Sequence, residues 1–435
     1  MITAEENDLL CRVEGAAPMG QIMRRHWIPA CLSEEVAERD GAPRRVRLLG
    51  EDLVAFRDSK GRLGLIDEHC PHRGASLALG RNEECGLRCL YHGWKFDVAG
   101  NCLDMASEPP ETRFADKVKL KSYPVREAGG FVWAYMGPPE EMPEFQAPAW
   151  APTADARVSI VKMHVACNWA QVIEGSIDSA HSSTLHSTDM PSAPVDGAKA
   201  TDTAWPRPST DKSPRLVMQK TDYGFRYAAI RRPIMNSATH DYVRITVFIA
   251  PFTALIPPNN VYNLAQVMIP MDDTNTMFHF IAWSGGGKPG IDQDAWRKFC
   301  AAEEGVDLDG NFRRVRTLAN NYMQDRAAMK RGDFTGIKAI PTQDMAMWET
   351  MGAIADRTKE RLGTSDIAII QFRKIMVEAA QRMRDQGKAI GRDGNEPPQA
   401  SLSSYEGVVP KSMDWRALGL GGDQENLPPG QEQVA

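Results

Sequence analysis

The chain has 435 residues, 42% hydrophobic and 25% charged, with a formal net charge of −6. That leaves room for two or three domains with a large core, and it excludes the strongly basic balance of a nucleic-acid binder. The first ten residues lack the layout of a secretory signal and no run of about 18 apolar residues occurs, so a cytoplasmic protein without a membrane span is expected.

Residues 1 to 40 read as a short helical lead-in, with Arg24, Arg25, His26 and Trp27 near its end. From Arg44 the hydrophobic period changes. Val46 to Leu48 and Leu53 to Phe56 read as short strands, and Asp58-Ser59-Lys60-Gly61 as a hairpin turn. Short strands continue to about Pro138, so 41–150 is expected to be a small all-β domain. The Pro-rich tract from Gly137 to Pro152 reads as a linker. A larger α+β domain is expected over 151–435. Its strands are Ser159 to His164, Tyr242 to Ala250, Tyr262 to Ile269 and Met277 to Trp283. Its helices are Asp292 to Glu304, Phe312 to Lys330, Thr342 to Asp356 and Ser365 to about Gln386. The tail after Gly391 is rich in Pro, Gly, Gln and Asn and is expected to be irregular.

Eight cysteines in such a chain point to metal ligation or buried small side chains before a disulfide framework. Two of them carry a pattern: Cys70-Pro71-His72, sixteen intervening residues, then Cys89-Leu90-Tyr91-His92. Thiolates are soft, charged donors for iron. Replacing two of four thiolates with imidazoles lowers the negative charge around a [2Fe–2S] cluster and raises its potential. Gly74 and Gly93 let the two loops close. A Cys2His2 zinc site uses the same donors, but its usual spacing pairs Cys with Cys and His with His, whereas here they alternate. Cys11, Cys31, Cys85, Cys102, Cys167 and Cys300 lie outside the pattern.

A second constellation follows Asn168-Trp169: Glu174, Asp178, His181 and His186, as Asp-x2-His-x4-His. Two imidazoles and one carboxylate on one face of an Fe(II) ion leave the opposite positions open. Five residues of ideal helix rotate a side chain by about 140°, so His181 and His186 cannot share a helix face, and a bulge, a 3₁₀ turn or a helix end is expected between them. Asp344 is the candidate third ligand. Pro341 and Thr342 look like a helix start, which puts Asp344, Met347, Trp348 and Met351 on one face, and an aspartate on an apolar face is costly unless paired or metal-bound. Asp325 and Glu349 are the rivals, and a helix N-terminus also favours an acidic residue for its own sake.

The segments Cys70-Pro71-His72-Arg73-Gly74-Ala75 and Cys89-Leu90-Tyr91-His92-Gly93-Trp94 closely resemble the Rieske signature. With the second motif the resemblance extends over nearly the whole chain. The chain is similar to the oxygenase components of Rieske non-haem iron ring-hydroxylating oxygenases, and within them to the phthalate 4,5-dioxygenase type. The resemblance implies an α+β protein: an N-terminal all-β Rieske domain, then a helix-grip-like antiparallel sheet with flanking helices. It implies one [2Fe–2S] cluster on Cys70, His72, Cys89 and His92, and one mononuclear Fe(II) on His181, His186 and Asp344. It gives Asp178 the place of the aspartate that links the first iron histidine to a cluster histidine, the equivalent of His92, on a neighbouring subunit. A homo-oligomer follows, a trimer or stacked trimers. Many family members carry Asn after the glutamate, where this chain has Gly175.

For an anionic aromatic, cationic groups in an apolar pocket are needed, and the guanidinium fork suits a carboxylate. Arg244 alternates with Tyr242, Thr246 and Phe248 on one strand face, and Arg207 sits in the stiff loop Trp205-Pro206-Arg207-Pro208. These two are the candidate carboxylate clamps, with Ser179 a minor contact and Arg231 and Arg232 competing. Two arginines suit a dicarboxylate, so the expected reaction is phthalate and O2 to the cis-4,5-dihydrodiol. Relatives that monooxygenate, or demethylate aryl ethers of acids such as vanillate, share both metal motifs. No ferredoxin-type cysteine run and no dinucleotide fingerprint is present. Electrons are therefore expected from NADH through a separate flavin- and iron–sulfur-containing reductase. Ser284 to Pro289 reads as a strand-to-helix turn and not a phosphate loop.

Overall fold

The computed structural model describes residues 2–194, 205–258, 262–285 and 290–420. It is an α+β chain that divides into two compact units, one of residues 13–145 and 269–273, the other of 1–12, 146–268 and 274–435.

Helix α1 (Ala4–Cys11) opens the chain and belongs to the larger unit. Thr3 and Glu6 close its first turn as a reciprocal cap. The smaller unit begins with α2 (Pro18–Arg24), which has Pro at its first position, where a missing N–H costs nothing. Ten short strands follow: β1 (Trp27–Leu32), β2 (Arg44–Leu48), β3 (Glu51–Arg57), β4 (Leu63–Asp67), β5 (Arg81–Glu83), β6 (Gly86–Arg88), β7 (Trp94–Phe96), β8 (Cys102–Met105), β9 (Val125–Ala128) and β10 (Phe131–Tyr135). They form sheets in the orders β1-β10-β9, β2-β3-β4 and β5-β6-β7-β8. The expected helical lead-in over 1–40 is corrected here. Trp27–Leu32 is a strand paired antiparallel with β10, because its buried apolar run is satisfied by a non-local partner. The unit's core gathers Val54, Phe56, Ile66, Leu77, Leu87, Trp94 and Phe96 around Cys70 and Cys89.

The larger unit is built on one sheet. Its strands are β11 (Arg157–Val165), β12 (Arg215–Thr221), β13 (Gly224–Arg231), β14 (His240–Ile249), β15 (Thr253–Ile256), β16 (Asn263–Pro270), β17 (Thr276–Ser284) and β18 (Tyr405–Pro410). The order is β11-β17-β16-β15-β14-β13-β12, all antiparallel where registers are defined, and β18 pairs with β14. One edge of β14 changes partner along its length. Residues 240–245 pair with β18, and 247–249 pair with β15. Helices α3 (Trp169–Ser176), α4 (Gln293–Phe299), α5 (Arg326–Lys330), α6 (Ile340–Thr350) and α7 (Ile367–Gln386) flank it. Phe372 of α7 meets both Trp169 of α3 and Phe248 of β14 edge to face.

Three expectations change. The helix read over Phe312 to Lys330 is only α5 plus a 3₁₀ turn at Leu318–Met323. Asn321, Tyr322 and Met323 there are left-handed, and the Tyr322 hydroxyl reaches Glu349 at 2.8 Å. The irregular tail after Gly391 contains β18, whose partner β14 lies far back in sequence. Met347 and Met351 do not share Asp344's buried face: they are 40% and 55% exposed, and only Trp348 is buried with it. Residues 286–289 of the expected turn lie outside the described residues. Among the described residues no helix is long and apolar enough to cross a membrane.

Candidate active site

None of the eight cysteines is in a disulfide. Cys70 and Cys89 sit at the start of two loops with the same bonding. Cys70 N–H donates to Ala75 O (2.9 Å) and Gly74 N–H to Cys70 O (2.9 Å), while Cys89 N–H donates to Trp94 O (2.8 Å) and Gly93 N–H to Cys89 O (3.0 Å). Gly74 and Gly93 take φ of 73° and 77°, the left-handed region that lets each loop turn back. The loops bring the His72 and His92 rings to 4.3 Å between centroids, and His72 lies flat on Trp94 at 4.5 Å. Both cysteines are buried, and His72 Nδ1 is buried without a hydrogen-bond partner. Burial pushes the Cys70 thiol up to about 11, and the neighbouring Cys89 adds to the rise. A buried nitrogen without a proton partner beside two buried thiols is a donor set short of its cation, and it fits a cluster held by two cysteines and two histidines.

The second set lies in the larger unit. Asn168 caps α3, its side chain accepting from Ala170 N–H, and Glu174 fixes the far end by ion pairs to Arg357 (2.9 Å) and Arg373 (2.7 Å). Gly175 is required by packing: a β-carbon there would stand 2.0 Å from Nε1 of Trp348, so α3 and α6 touch at this point. The family's side chain at that position has no room in this chain.

Beyond Ile177 the chain turns, and His181 begins a 3₁₀ turn (His181–Ser183), one of the three geometries expected. The turn brings His181 Nε2 to 3.2 Å from His186 Nε2. Asp344, on the second turn of α6, places Oδ1 at 3.4 Å and 3.0 Å from the same two nitrogens. Among the described residues these three alone bring such donor atoms within 4.8 Å of one another. Asp178 Oδ2 faces His181 Nδ1 at 3.6 Å, and its Oδ1 accepts from the N–H of Ala180 and His181. On the other ring, His186 Nδ1 meets Gln343 Oε1 at 2.7 Å. Each imidazole is thus held by its Nδ1, and both Nε2 atoms turn toward one carboxylate. Burial alone would lower His181, but Asp178 and Asp344 outweigh it and bring it up to about 10. Asp344 is drawn down to about 2 despite burial, by His186 and His181. Three donors converging this closely in a largely buried site fit a divalent cation.

Asp178, Ser179, His181, His186 and Asp344 line a cleft of about 590 Å³, part of it open to solvent; so do Arg207 and Arg244. Arg244 pairs with Glu406 directly across the β14–β18 register at 2.7 Å, and Tyr242 also bonds that carboxylate. Glu406 went unrecognised in the sequence because its strand did. Arg207 is 4% exposed and has no carboxylate partner among the described residues. It donates to Ser183 Oγ (3.1 Å) and Met190 Sδ (2.9 Å), its Nε is unpaired, and burial with Arg244 nearby lowers it to about 9. Ser179 Oγ is engaged with the Tyr227 hydroxyl at 2.9 Å. Among the rivals, Arg231 is buried behind this surface, donating to Ser179 O and Ser183 Oγ, and Arg232 is exposed and paired with Asp211. Asp325 caps α5, and Glu349 is taken by Arg314, Tyr322 and Ala166 N–H.

Two domain families match: a Rieske [2Fe–2S] domain over residues 26–124 and a LigXa C-terminal domain like family over 134–433. The phthalate 4,5-dioxygenase oxygenase subunit of Pseudomonas putida is 58% identical over 416 residues, 96% of this chain and 94% of that one. The 5,5'-dehydrodivanillate O-demethylase oxygenase subunit of Sphingobium sp. is 33% identical over 408 residues, 90% of this chain and 84% of that one. Among solved structures, the terminal oxygenase of carbazole 1,9a-dioxygenase from Nocardioides aromaticivorans shares the fold, with a TM-score of 0.57 at 16% identity over 86% of this chain and 97% of that one.

Proposed function

This chain belongs to the Rieske non-haem iron oxygenases with a LigXa-like C-terminal domain, and we propose that it is the terminal oxygenase of a multicomponent dioxygenase that converts phthalate to its cis-4,5-dihydrodiol. The observation that carries the substrate is the charge of the cleft. Arg207 and Arg244 line the cavity with Arg231 buried behind them; Glu406 pairs with Arg244, Asp178 and Asp344 belong to the histidine cluster, and among the described residues no carboxylate pairs with Arg207, while the rest of the lining includes Ile256, Pro257, Leu264 and Phe280. A mostly buried guanidinium without a carboxylate beside it among the described residues calls for an anion, and two arginines lining the cleft suit two carboxylates.

Cys70, Cys89, His72 and His92 would hold the cluster, and His181, His186 and Asp344 the iron. Bound there, the cluster supplies single electrons and the iron an open face for dioxygen chemistry. The chain's own contribution is placement. Asp178 and Gln343 orient the two imidazoles, Arg207 and Arg244 take the carboxylates, and the apolar lining holds the ring and keeps out water. Asp178 is 21% exposed at its side chain, which suits a link to a cluster histidine of a neighbouring copy in a trimer or stacked trimers. A separate flavin/iron–sulfur reductase would bring electrons from NADH, in the cytoplasm.

The similarity to an O-demethylase subunit supports a second reading, oxygenation or demethylation of a related aromatic acid such as vanillate. Oxygen uptake with a compatible reductase and NADH separates the two. The dioxygenase reading expects uptake stimulated by phthalate above benzoate and vanillate. Formaldehyde from vanillate, with no response to phthalate, would favour the second.

A further inference from the structure

The loop that carries Arg207 is built as a stiff ribbon. Trp205 N–H donates to Asp189 O (3.2 Å) and Arg207 N–H to Pro191 O (2.8 Å), and Ser192 and Arg207 form a parallel bridge. Alternate residues of one segment thus bond alternate residues of the other, as in a short parallel ladder. Pro206 stands between the two donors, where the ladder needs no N–H. Pro206 and Pro208 also hold the residues before them, Trp205 and Arg207, in an extended conformation. Residues two apart on extended backbone present their side chains to one side. Trp205 and Arg207 both line the cleft.

Each of these side chains has one N–H without an acceptor among the described residues, Nε1 of Trp205 and Nε of Arg207. Trp205 is 6% exposed, its ring stacked on Phe299 with centroids 4.9 Å apart and planes at 29°. That stacking needs no nitrogen: Phe would line the same wall without leaving a buried donor unpaired. An indole N–H only donates, so what completes it is an acceptor. The terminal nitrogens of Arg207 reach Ser183 Oγ and Met190 Sδ, whereas Arg244 has Glu406. The lining guanidinium without a carboxylate among the described residues is therefore the one two residues from the unpaired indole.

We propose that Trp205 is a specificity-determining residue of the anion subsite: its indole N–H and the Nε–H of Arg207 hold one carboxylate together, and Arg244 takes the other. The ligand class is an aromatic ortho-dicarboxylate, with the carboxylate at Trp205 recognised by two hydrogen bonds as well as by charge. The inference rests on the reading of Arg207 and Arg244 as the carboxylate subsite. Both donors act on the acid end of the ring and leave its 4,5-edge to the iron site. A hydrogen bond to a charged acceptor contributes more than one between neutral groups, so the indole N–H adds to what the guanidinium supplies.

The test is calorimetric titration of the cluster- and iron-loaded full chain with phthalate, without oxygen, at about pH 8, where a free imidazole is neutral. Trp205→Phe keeps a ring against Phe299 and removes the donor, and it is expected to bind phthalate about tenfold more weakly than the wild type. Trp205→His is smaller still but returns a donor, since its Nε2 overlies the indole Nε1 when the five-membered rings are superposed. It is expected to bind phthalate several-fold more tightly than Trp205→Phe. A purely wall-filling role puts the two variants in the reverse order. That order overturns the inference, as does wild-type affinity in Trp205→Phe. Arg207→Met separates the two levels. If it weakens phthalate binding while Trp205→Phe does not, this inference alone falls. If phthalate does not bind the wild type, or binds Arg207→Met equally well, the carboxylate subsite falls and takes the inference with it.

Discussion

His186 Nδ1 stands 2.7 Å from Oε1 of Gln343, the residue immediately before Asp344. The amide's orientation is fixed from its other end. Gln343 Nε2 lies 2.9 Å from both Ile337 O and Asp189 Oδ2, which can only accept. Oε1 must therefore face the ring, His186 Nδ1 must carry the proton, and Nε2 is left as the ligand atom. Adjacent residues of α6 thus face the same proposed iron site, Asp344 directly and Gln343 through His186.

Gln343→Leu removes that anchor without touching a ligand. Its expected effect is a loss of Fe(II) affinity of about 10- to 100-fold. Iron titration of the mononuclear site would show it, with the visible absorption of the cluster unchanged.

Arg207 and Arg244 should differ in stability while agreeing in function. Arg244→Met strands the buried Glu406 carboxylate, for which a cost of about 3–5 kcal/mol is expected, and adding Glu406→Gln should restore most of it. Arg207→Met strands no carboxylate among the described residues and is expected to cost less than about 1 kcal/mol, or to stabilise. Both should raise KM for phthalate. Denaturant unfolding and steady-state kinetics on the same variants check the split.

Metal binding should be pH-linked with a known sign. In the metal-free chain His181 is raised to about 10 by Asp178 and Asp344 against the effect of burial. The imidazole is protonated from pH 7 to 9, and an incoming cation must displace that proton. Affinity is then expected to rise about tenfold per pH unit over this window and to level off above pH 10. The stability tied to the raised pKa is full below about 6.5 and fades as pH climbs through about 10. Titration in buffers of different ionisation enthalpy should report close to one proton released per ion.

Gly175→Ala places a methyl on Trp348 and should wedge α3 from α6, at a cost of about 1–3 kcal/mol. Because α6 carries Asp344 and α3 leads into the turn that carries His181 and His186, iron content is expected to fall with it. Metal analysis and thermal unfolding of the variant test both.

The candidate metal residues were legible because their spacing is local: Cys70 with His72, Cys89 with His92, and His181 with His186 each sit within one loop or turn. Asp344 was legible from a helix start and an acid on an apolar face, although Met347 and Met351 turned outward. Glu406 was not, because its meaning lies in register with Arg244 across β14 and β18, which no local pattern carries. Gln343 was hidden for the same reason, since an amide becomes informative only when its partners, His186, Asp189 and Ile337, are known. Tyr322 broke an expected helix because its bond to Glu349 holds three left-handed residues in place.

The most direct measurement is turnover of phthalate under ¹⁸O2 with the anaerobically purified protein, a compatible reductase and NADH. The account predicts a cis-4,5-dihydrodiol carrying two labelled oxygens. A singly labelled phenol, or no phthalate product alongside formaldehyde from vanillate, would contradict it.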